Sequence, residues 1–306
     1  MTDAFTELRP LLFALAYRML GSVGDAEDVV QDAYLRFHRA LEEGTEIESP
    51  KAFLSAVTTR LAIDMLRSAR VRRETYVGQW LPEPLLTDQT APDPAQLTAS
   101  SDTLSMAFLL VLERLSPVER AVFLLHDVFG YEFGEIATIV GKSADNCRQV
   151  AVRARRHVTE NRPRFEASRD KREKLADQFV AALSQGDVDG LVELLAADVV
   201  VSGDSGGVPP AWSRPIVGRE KVGRLLAGIS AQLREVTGVT IERAEVNGQP
   251  GAVVRDAAGR LVNVFSFDIV DGSVQAVRSV ISRPKLRHLG PLADIPALVA
   301  ARRAAH

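Results

Sequence analysis

At 306 residues, 46% of them hydrophobic, with a formal net charge of -3, the chain is long enough for about two or three domains and too apolar for wholesale disorder. One cysteine, Cys147, and five scattered histidines exclude an internal disulfide and a cysteine-built zinc site, so neither metal nor cofactor is expected. No apolar run approaches the roughly 20 residues of a bilayer span and the start MTDAFTELRP is no secretory signal, which predicts a cytoplasmic protein without a membrane partner.

The first two-thirds reads as helices. Phe5, Leu8, Leu12, Leu15 and Met19 recur at helical spacing, and Gly21 is the expected stop. Asp25 is the expected cap of a second helix, whose buried face carries Val29, Val30, Ala33, Phe37 and Leu41. Ser49-Pro50 opens a third through Phe53, Val57, Leu61 and Met65. Pro82, Pro84, Pro92 and Pro94 then mark residues 77–100 as a linker. Helices resume near Asp102, and Ser116-Pro117-Val118-Glu119 is a capping box. Phe129-Gly130 closes that helix, a short one follows through Ile136 and Val140, Gly141 turns the chain, and Ser143 caps a helix over residues 144–158. Beyond Arg169 two helices precede β-branched runs at 199–201, 239–246, 252–255, 261–269 and 273–281. Asn247-Gly248, Ala258-Gly259 and Asp271-Gly272 between them are hairpin signals, so this part reads as a helix-then-meander α+β domain.

The charge is unevenly placed. Arg60, Arg67, Arg70, Arg72 and Arg73 stand against Asp64 alone, and Lys142, Arg148, Arg153, Arg155 and Arg156 against Asp145 alone. Such local stripes matter more for phosphate contact than the net charge does. Two short helices around a glycine turn have the geometry of a helix-turn-helix DNA reader. On the second of them Cys147, Val150, Ala151, Ala154 and Val158 share one face, opposite Asp145, Arg148, Gln149, Arg153 and Arg156. Arginine and glutamine read guanine and adenine edges. An ordinary amphipathic helix with a solvated basic face would look the same, as would a solvated helix end at Arg67–Arg73. Asp25, Asp28 and Asp32 lie on one face with Gln31 and Leu35 nearby. The helix dipole accounts for the first two acids, and docking of a partner protein for the whole set. Spacing leaves these alternatives open.

Three segments in this order resemble the extracytoplasmic-function sigma factors of the sigma-70 family. Asp25-Ala26-Glu27-Asp28-Val29-Val30-Gln31-Asp32-Ala33-Tyr34-Leu35-Arg36 is similar to the segment that grips the clamp helices of RNA polymerase. Residues 53–73 resemble the adjoining segment that opens promoter DNA at the minus-ten element, with Arg60 where many members carry asparagine. Leu115-Ser116-Pro117-Val118-Glu119-Arg120 through Arg148-Gln149-Val150-Ala151-Val152-Arg153-Ala154-Arg155 resembles sigma domain four, which reads the minus-thirty-five element. The resemblance implies core RNA polymerase, through its beta-prime clamp and beta flap, and promoter DNA as partners. It implies polymerase contacts at Asp25, Asp28, Gln31, Asp32 and Leu35, and minus-ten contacts at Arg60, Arg67, Arg70, Arg72 and Arg73. Minus-thirty-five contacts are implied at Ser143, Asp145, Arg148, Gln149, Arg153 and Arg156.

The C-terminal third resembles a SnoaL-like domain of the cone-shaped NTF2-like class. Trp80-Leu81-Pro82-Glu83-Pro84-Leu85 is similar to the linker signature of the sigma subgroup that carries such a domain. Asp204-Ser205-Gly206-Gly207 and Ser282-Arg283-Pro284-Lys285-Leu286 resemble its C-terminal motifs, with Val208 in place of a third glycine. The expected organisation is sigma domain two at 1–76, linker at 77–100, sigma domain four at 101–168 and the α+β domain with its tail at 169–306. Trp80, Leu81, Pro82, Glu83, Pro84, Asp204, Lys285 and Leu286 are expected to carry regulation between domains, replacing a separate anti-sigma protein. Other cone-shaped domains are isomerases or cyclases, which makes Asp204, Asp256 and Asp268 candidate acids with Trp212 as a lining residue, and leaves an unknown small ligand open. Asp256 before Ala257-Ala258-Gly259 reads better as a turn residue, and no nucleophile motif or phosphate-binding loop is present, so an enzyme is not expected. A stand-alone helix-turn-helix regulator is the competing class for the front half.

Overall fold

The computed structural model describes residues 2–74, 76, 78–87, 101–161, 168–207, 214–236, 238–295 and 297. The chain forms two compact units, Met1–Thr75 with Thr90–Pro163, and Tyr76–Gln89 with Arg164–His306. Tyr76, expected at the end of sigma domain two, and residues 77–89 of the expected linker therefore belong to the C-terminal unit.

The first unit is helical. Helices α1 (Thr2–Leu20), α2 (Val23–Glu42) and α3 (Pro50–Glu74) pack on one another through Leu12, Leu15, Met19, Val29, Val30, Phe37 and Leu54. Ser22, rather than Asp25, caps α2, because its hydroxyl accepts the Asp25 amide. Asp25 lies instead in the first turn, where a carboxylate favours the helix dipole. Ser49 accepts the Ala52 amide and Pro50 starts α3. After a short turn at Ser101–Thr103 come α4 (Met106–Leu112), α5 (Pro117–Phe123), α6 (Phe133–Val140) and α7 (Ala144–Asn161). Ser116 and Glu119 form the reciprocal capping box at α5. A π-helical turn at Leu124–Val128 prolongs α5 before Phe129 and Gly130 end it.

The second unit has two helices, α8 (Arg169–Gln185) and α9 (Val188–Leu194), then strand β1 (Leu195–Asp204) and the short β2 (Ile216–Val217). A third helix, α10 (Arg219–Arg234), precedes the meander β3 (Thr240–Val246), β4 (Gln249–Arg255), β5 (Leu261–Val270) and β6 (Ser273–Val280), and a short α11 (Arg283–Leu286) follows. Strand order is β2-β1-β6-β5-β4-β3, antiparallel except where β1 runs parallel to β6. The three hairpin turns fall where the sequence predicts them. The plain helix-then-meander expectation needs two corrections, the helix α10 and the parallel β1–β6 pair. Phe179 of α8 meets Phe267 of β5 edge to face at 5.0 Å in a core shared with Leu191, Val222, Leu226 and Val277. With helical front domains and an α+β domain behind, the fold class is the one the resemblance implies.

Candidate functional site

The helix-turn-helix forms as its residues dictate. Gly141 adopts the left-handed conformation (φ 67°) at the end of α6, a backbone state that disfavours any side chain. Ser143 then accepts the Asn146 amide and starts α7. Cys147, Val150, Ala151, Ala154 and Val158 are buried, whereas Asp145, Arg148, Gln149, Arg153 and Arg156 are exposed with Ser143 beside them. The arginines are held by acids: Arg148 to Asp145 at 2.5 Å, Arg156 to Glu160 at 3.0 Å, and Arg153 to Glu119 at 3.8 Å. Burial raises the Glu119 carboxyl, but its bonds to Ser116 and the charge of Arg153 outweigh that and leave it below the usual range. Val152, 63% exposed on the same face, went unnoticed in the sequence reading.

On α2 the residues Asp28, Gln31, Asp32 and Leu35 are all exposed, and Asp25 is half-buried beside them. On α3 Asp64 pairs with Arg67 at 3.2 Å. Arg60 is directed elsewhere: its guanidinium donates to the carbonyls of Ile139 (2.8 Å) and Thr138 (2.7 Å) in the last turn of α6. The side chains of Arg70, Arg72 and Arg73 lie outside the described residues, as does Trp212.

In the C-terminal unit, residues 76–87 and the two C-terminal motifs meet at one carboxylate. Asp204 ends β1 and is 1% exposed. It accepts the Tyr76 hydroxyl at 2.5 Å, the Leu81 amide at 2.8 Å, the Lys285 ammonium at 2.6 Å and the Gly206 amide at 3.0 Å. Lys285 also donates to the Leu81 carbonyl and sits over the rings of Trp80 (4.3 Å) and Tyr76 (5.0 Å). Burial and the Asp204 carboxylate push the Tyr76 phenol well above its ordinary range. Gly206 is required here, since at φ 63° any Cβ would lie 2.8 Å from the Ser282 hydroxyl. Pro82 and Leu286 are buried against this cluster's elements, Glu83 is half-buried, and the Pro84 carbonyl accepts His288 Nε2 at 2.8 Å.

Further along, the segment pairs with the edge of the sheet. Leu85 exchanges two bonds with Asn247, Leu86 forms an antiparallel bridge with Val246, and the Thr87 amide donates to the Glu245 carbonyl at 2.9 Å. The Thr87 hydroxyl in turn accepts the Gly248 amide. This is strand addition to β3, the otherwise open edge. Of the residues expected to regulate, Trp80, Leu81, Asp204 and Lys285 are thus brought into one cluster. Tyr76 joins this cluster, and Asn247, Thr87 and His288 hold the rest of the segment, without a sequence signal that names them, because a turn asparagine reads the same whether or not its side chain holds a second segment.

None of the three candidate acids resembles a tuned catalytic acid. Asp204 is bound as above. Asp256 closes the β4–β5 turn, accepting the Ala258 and Arg260 amides and the Arg260 guanidinium, and these bonds outweigh burial to hold its carboxyl low. Asp268 is forked by Arg278 at 2.7 and 2.6 Å. The amides and the Arg260 guanidinium around Asp256 disfavour the proton that a general acid needs. Among the described residues no group of three or more His, Cys, Asp or Glu is placed to hold a metal. No described helix is long and apolar enough to cross a membrane.

Residues 4–72 match Sigma-70 region 2 and residues 105–158 match Sigma-70, region 4. The chain is 40% identical over 288 residues to the ECF RNA polymerase sigma factor SigJ of Mycobacterium tuberculosis, covering 92% of this chain and 91% of that protein. It is 34% identical over 283 residues to the probable ECF RNA polymerase sigma factor SigI of the same species, covering 92% and 93%. The crystal structure of Mycobacterium tuberculosis SigJ superposes with a TM-score of 0.75, covering 96% of this chain and 100% of that one. These relatives are transcription initiation factors and not enzymes. The chain belongs to the extracytoplasmic-function sigma factors of the sigma-70 family.

Proposed function

We propose that this sigma factor carries its own restraint, the C-terminal domain acting in cis where a separate anti-sigma protein would otherwise act. The exposed face of α7, with Ser143, Asp145, Arg148, Gln149, Arg153 and Arg156, reads the minus-thirty-five element. The basic end of α3 contacts the minus-ten region through Arg67 and its neighbours. Asp25, Asp28, Gln31, Asp32 and Leu35 dock on the beta-prime clamp, and domain four meets the beta flap. Between the two DNA-reading regions runs the segment that the C-terminal domain holds.

The observation that supports restraint is the Asp204 carboxylate, which bonds the linker at Tyr76 and Leu81 and the tail at Lys285. Tethering gives the domain an effective concentration in the millimolar range, so modest contacts suffice to hold the segment. Removing one member of a buried ion pair costs about 3–5 kcal/mol, because the other is left uncompensated. Run-off transcription with core polymerase at limiting concentration tests this. Asp204→Asn and Lys285→Met are expected to release the linker and give more promoter-specific transcript than the unaltered chain. Equal output from equally folded proteins contradicts the restraint, and no core-dependent transcript from any of them contradicts the promoter-recognition role.

A further inference from the structure

We propose that Phe133 and His126 are positioning residues for minus-thirty-five reading, fixing the plane of the Arg148 guanidinium so that it reads the edge of a guanine. This rests on the promoter-recognition reading above and adds the residues that give one contact of α7 its base preference.

Two turns bring the three side chains together. After the π-helical stretch Gly130 takes a left-handed conformation (φ 71°). The Gly130 and Tyr131 amides then donate back to the carbonyls of His126 (3.2 Å) and Leu125 (2.9 Å). This reversal places Phe133, the first residue of α6, against His126. Their rings are stacked, with centroids 4.1 Å apart and planes 27° from parallel. His126 is itself held, since its Nδ1 donates to the Tyr131 carbonyl at 2.9 Å. The turn at Gly141 carries α7 across α6, and there the Arg148 guanidinium lies over the Phe133 ring, 5.6 Å from its centroid. Asp145, in the first turn of α7, accepts one Nη1 bond from Arg148 at 2.5 Å.

Among the described residues, Arg148 alone of the exposed arginines on this face lies over a ring, whereas Arg153 and Arg156 are met by acids only. An ion pair between exposed groups is screened by salt and fixes little. A ring face constrains the plane of the guanidinium as well as its place. That plane is of no consequence for a phosphate, which takes any positive charge within reach. It decides contact with guanine, whose N7 and O6 accept from a fork lying in the plane of the base. The Arg148 side chain remains 57% exposed and spends only one N–H on Asp145, so the rest of its fork is free for a base. Its position, in the second turn of α7, belongs to the N-terminal part of a recognition helix, which meets base edges. A guanidinium already held there loses less rotamer freedom on binding, so more of the contact survives as discrimination. Arg153 and Arg156, without a ring, fit phosphate contact.

The test is run-off transcription by the full chain with core polymerase on a promoter library randomised across the minus-thirty-five element, read as base preference at each position. Arg148→Ala is expected to lower the preference for guanine at one position by about 5- to 150-fold, the range that one bidentate base contact is worth. Phe133→Leu should lower the preference at that same position by about two- to fivefold, the factor of an exposed cation–π contact, and leave the other positions as they are. Phe133→Tyr, which keeps the ring, should restore the parental preference. His126→Leu removes the ring stacked on Phe133 and should lower the same preference in a chain whose α6 and α7 are unaltered, so the test stands even where Phe133→Leu folds poorly. In an Arg148→Ala background neither substitution should change any preference further. A purely structural role would lower output evenly over all positions and would persist without Arg148. The proposal is overturned by that even loss, by an unchanged guanine preference in both Phe133→Leu and His126→Leu, or by an Arg148→Ala chain that weakens all sequences alike. A parent that gives no core-dependent, promoter-specific transcript would instead overturn the promoter-recognition reading.

Discussion

At the scale of single residues, the sequence shows which side chains are unusual for their position and rarely shows what they touch. Asp204 and Lys285 stood out through resemblance, and the structure pairs them 2.6 Å apart in the interior. Tyr76 could not be singled out, since a tyrosine at the edge of a proline-rich linker has no spacing partner to betray it. Arg60 shows the reverse case. Its basic neighbourhood marked it for DNA, and its guanidinium is engaged with the end of α6. Tyr76 also makes a pH prediction. Its phenol is raised above the ordinary value of 10.0, first by burial and then by the bond to Asp204, so the docked state favours the neutral form. That contribution is complete below the unfolded value and is lost as pH rises past it. Trp80 fluorescence in a Trp212→Phe background should therefore be flat from about pH 6 to about pH 9 and report release of the segment only above about pH 10. Release centred near pH 7–8 would mean that another group governs docking.

At the scale of elements, periodicity and punctuation were legible where one face alone is buried. The helix-turn-helix, its Gly141 turn, the Ser116–Glu119 box and the three hairpin turns all form at the residues that signal them. Helix α10 escaped although Val222, Leu226 and Ser230 recur at helical spacing and are buried, because the reading passed from helices directly to β-branched runs. The parallel β1–β6 pair was not legible at all, since its register joins residues some 75 positions apart and depends on the helices packed between. The edge pairing of residues 85–87 with β3 has the same non-local character. It leads to a direct prediction. Thr87→Pro removes the amide that donates to Glu245 and cannot be accommodated in the added strand. Docking of the segment should weaken by at least the roughly 1 kcal/mol of one lost backbone bond, read as faster proteolysis between Leu81 and Thr87. Unchanged proteolysis would show that the strand pairing contributes nothing to docking.

At the scale of the whole molecule, regions two and four and the C-terminal domain each had a legible fold class, but the partition of the linker did not. Pro82 and Pro84 argue only that residues 77–100 are neither helix nor central strand, and say nothing about which domain they lie on. The structure assigns residues 76–89 to the C-terminal unit, where the hydrogen bonds of Tyr76 and Leu81 to the Asp204 carboxylate and an edge pairing hold them. The central claim is that this docking restrains a sigma factor and is given up when it works. Hydrogen exchange of the peptide covering residues 76–87 measures it most directly, first in the free chain and then in the complex with core polymerase and promoter DNA. The amides of Leu81, Leu85 and Thr87 should be protected in the free chain and exchange freely in the promoter complex. Protection that persists in a transcribing complex would contradict the account.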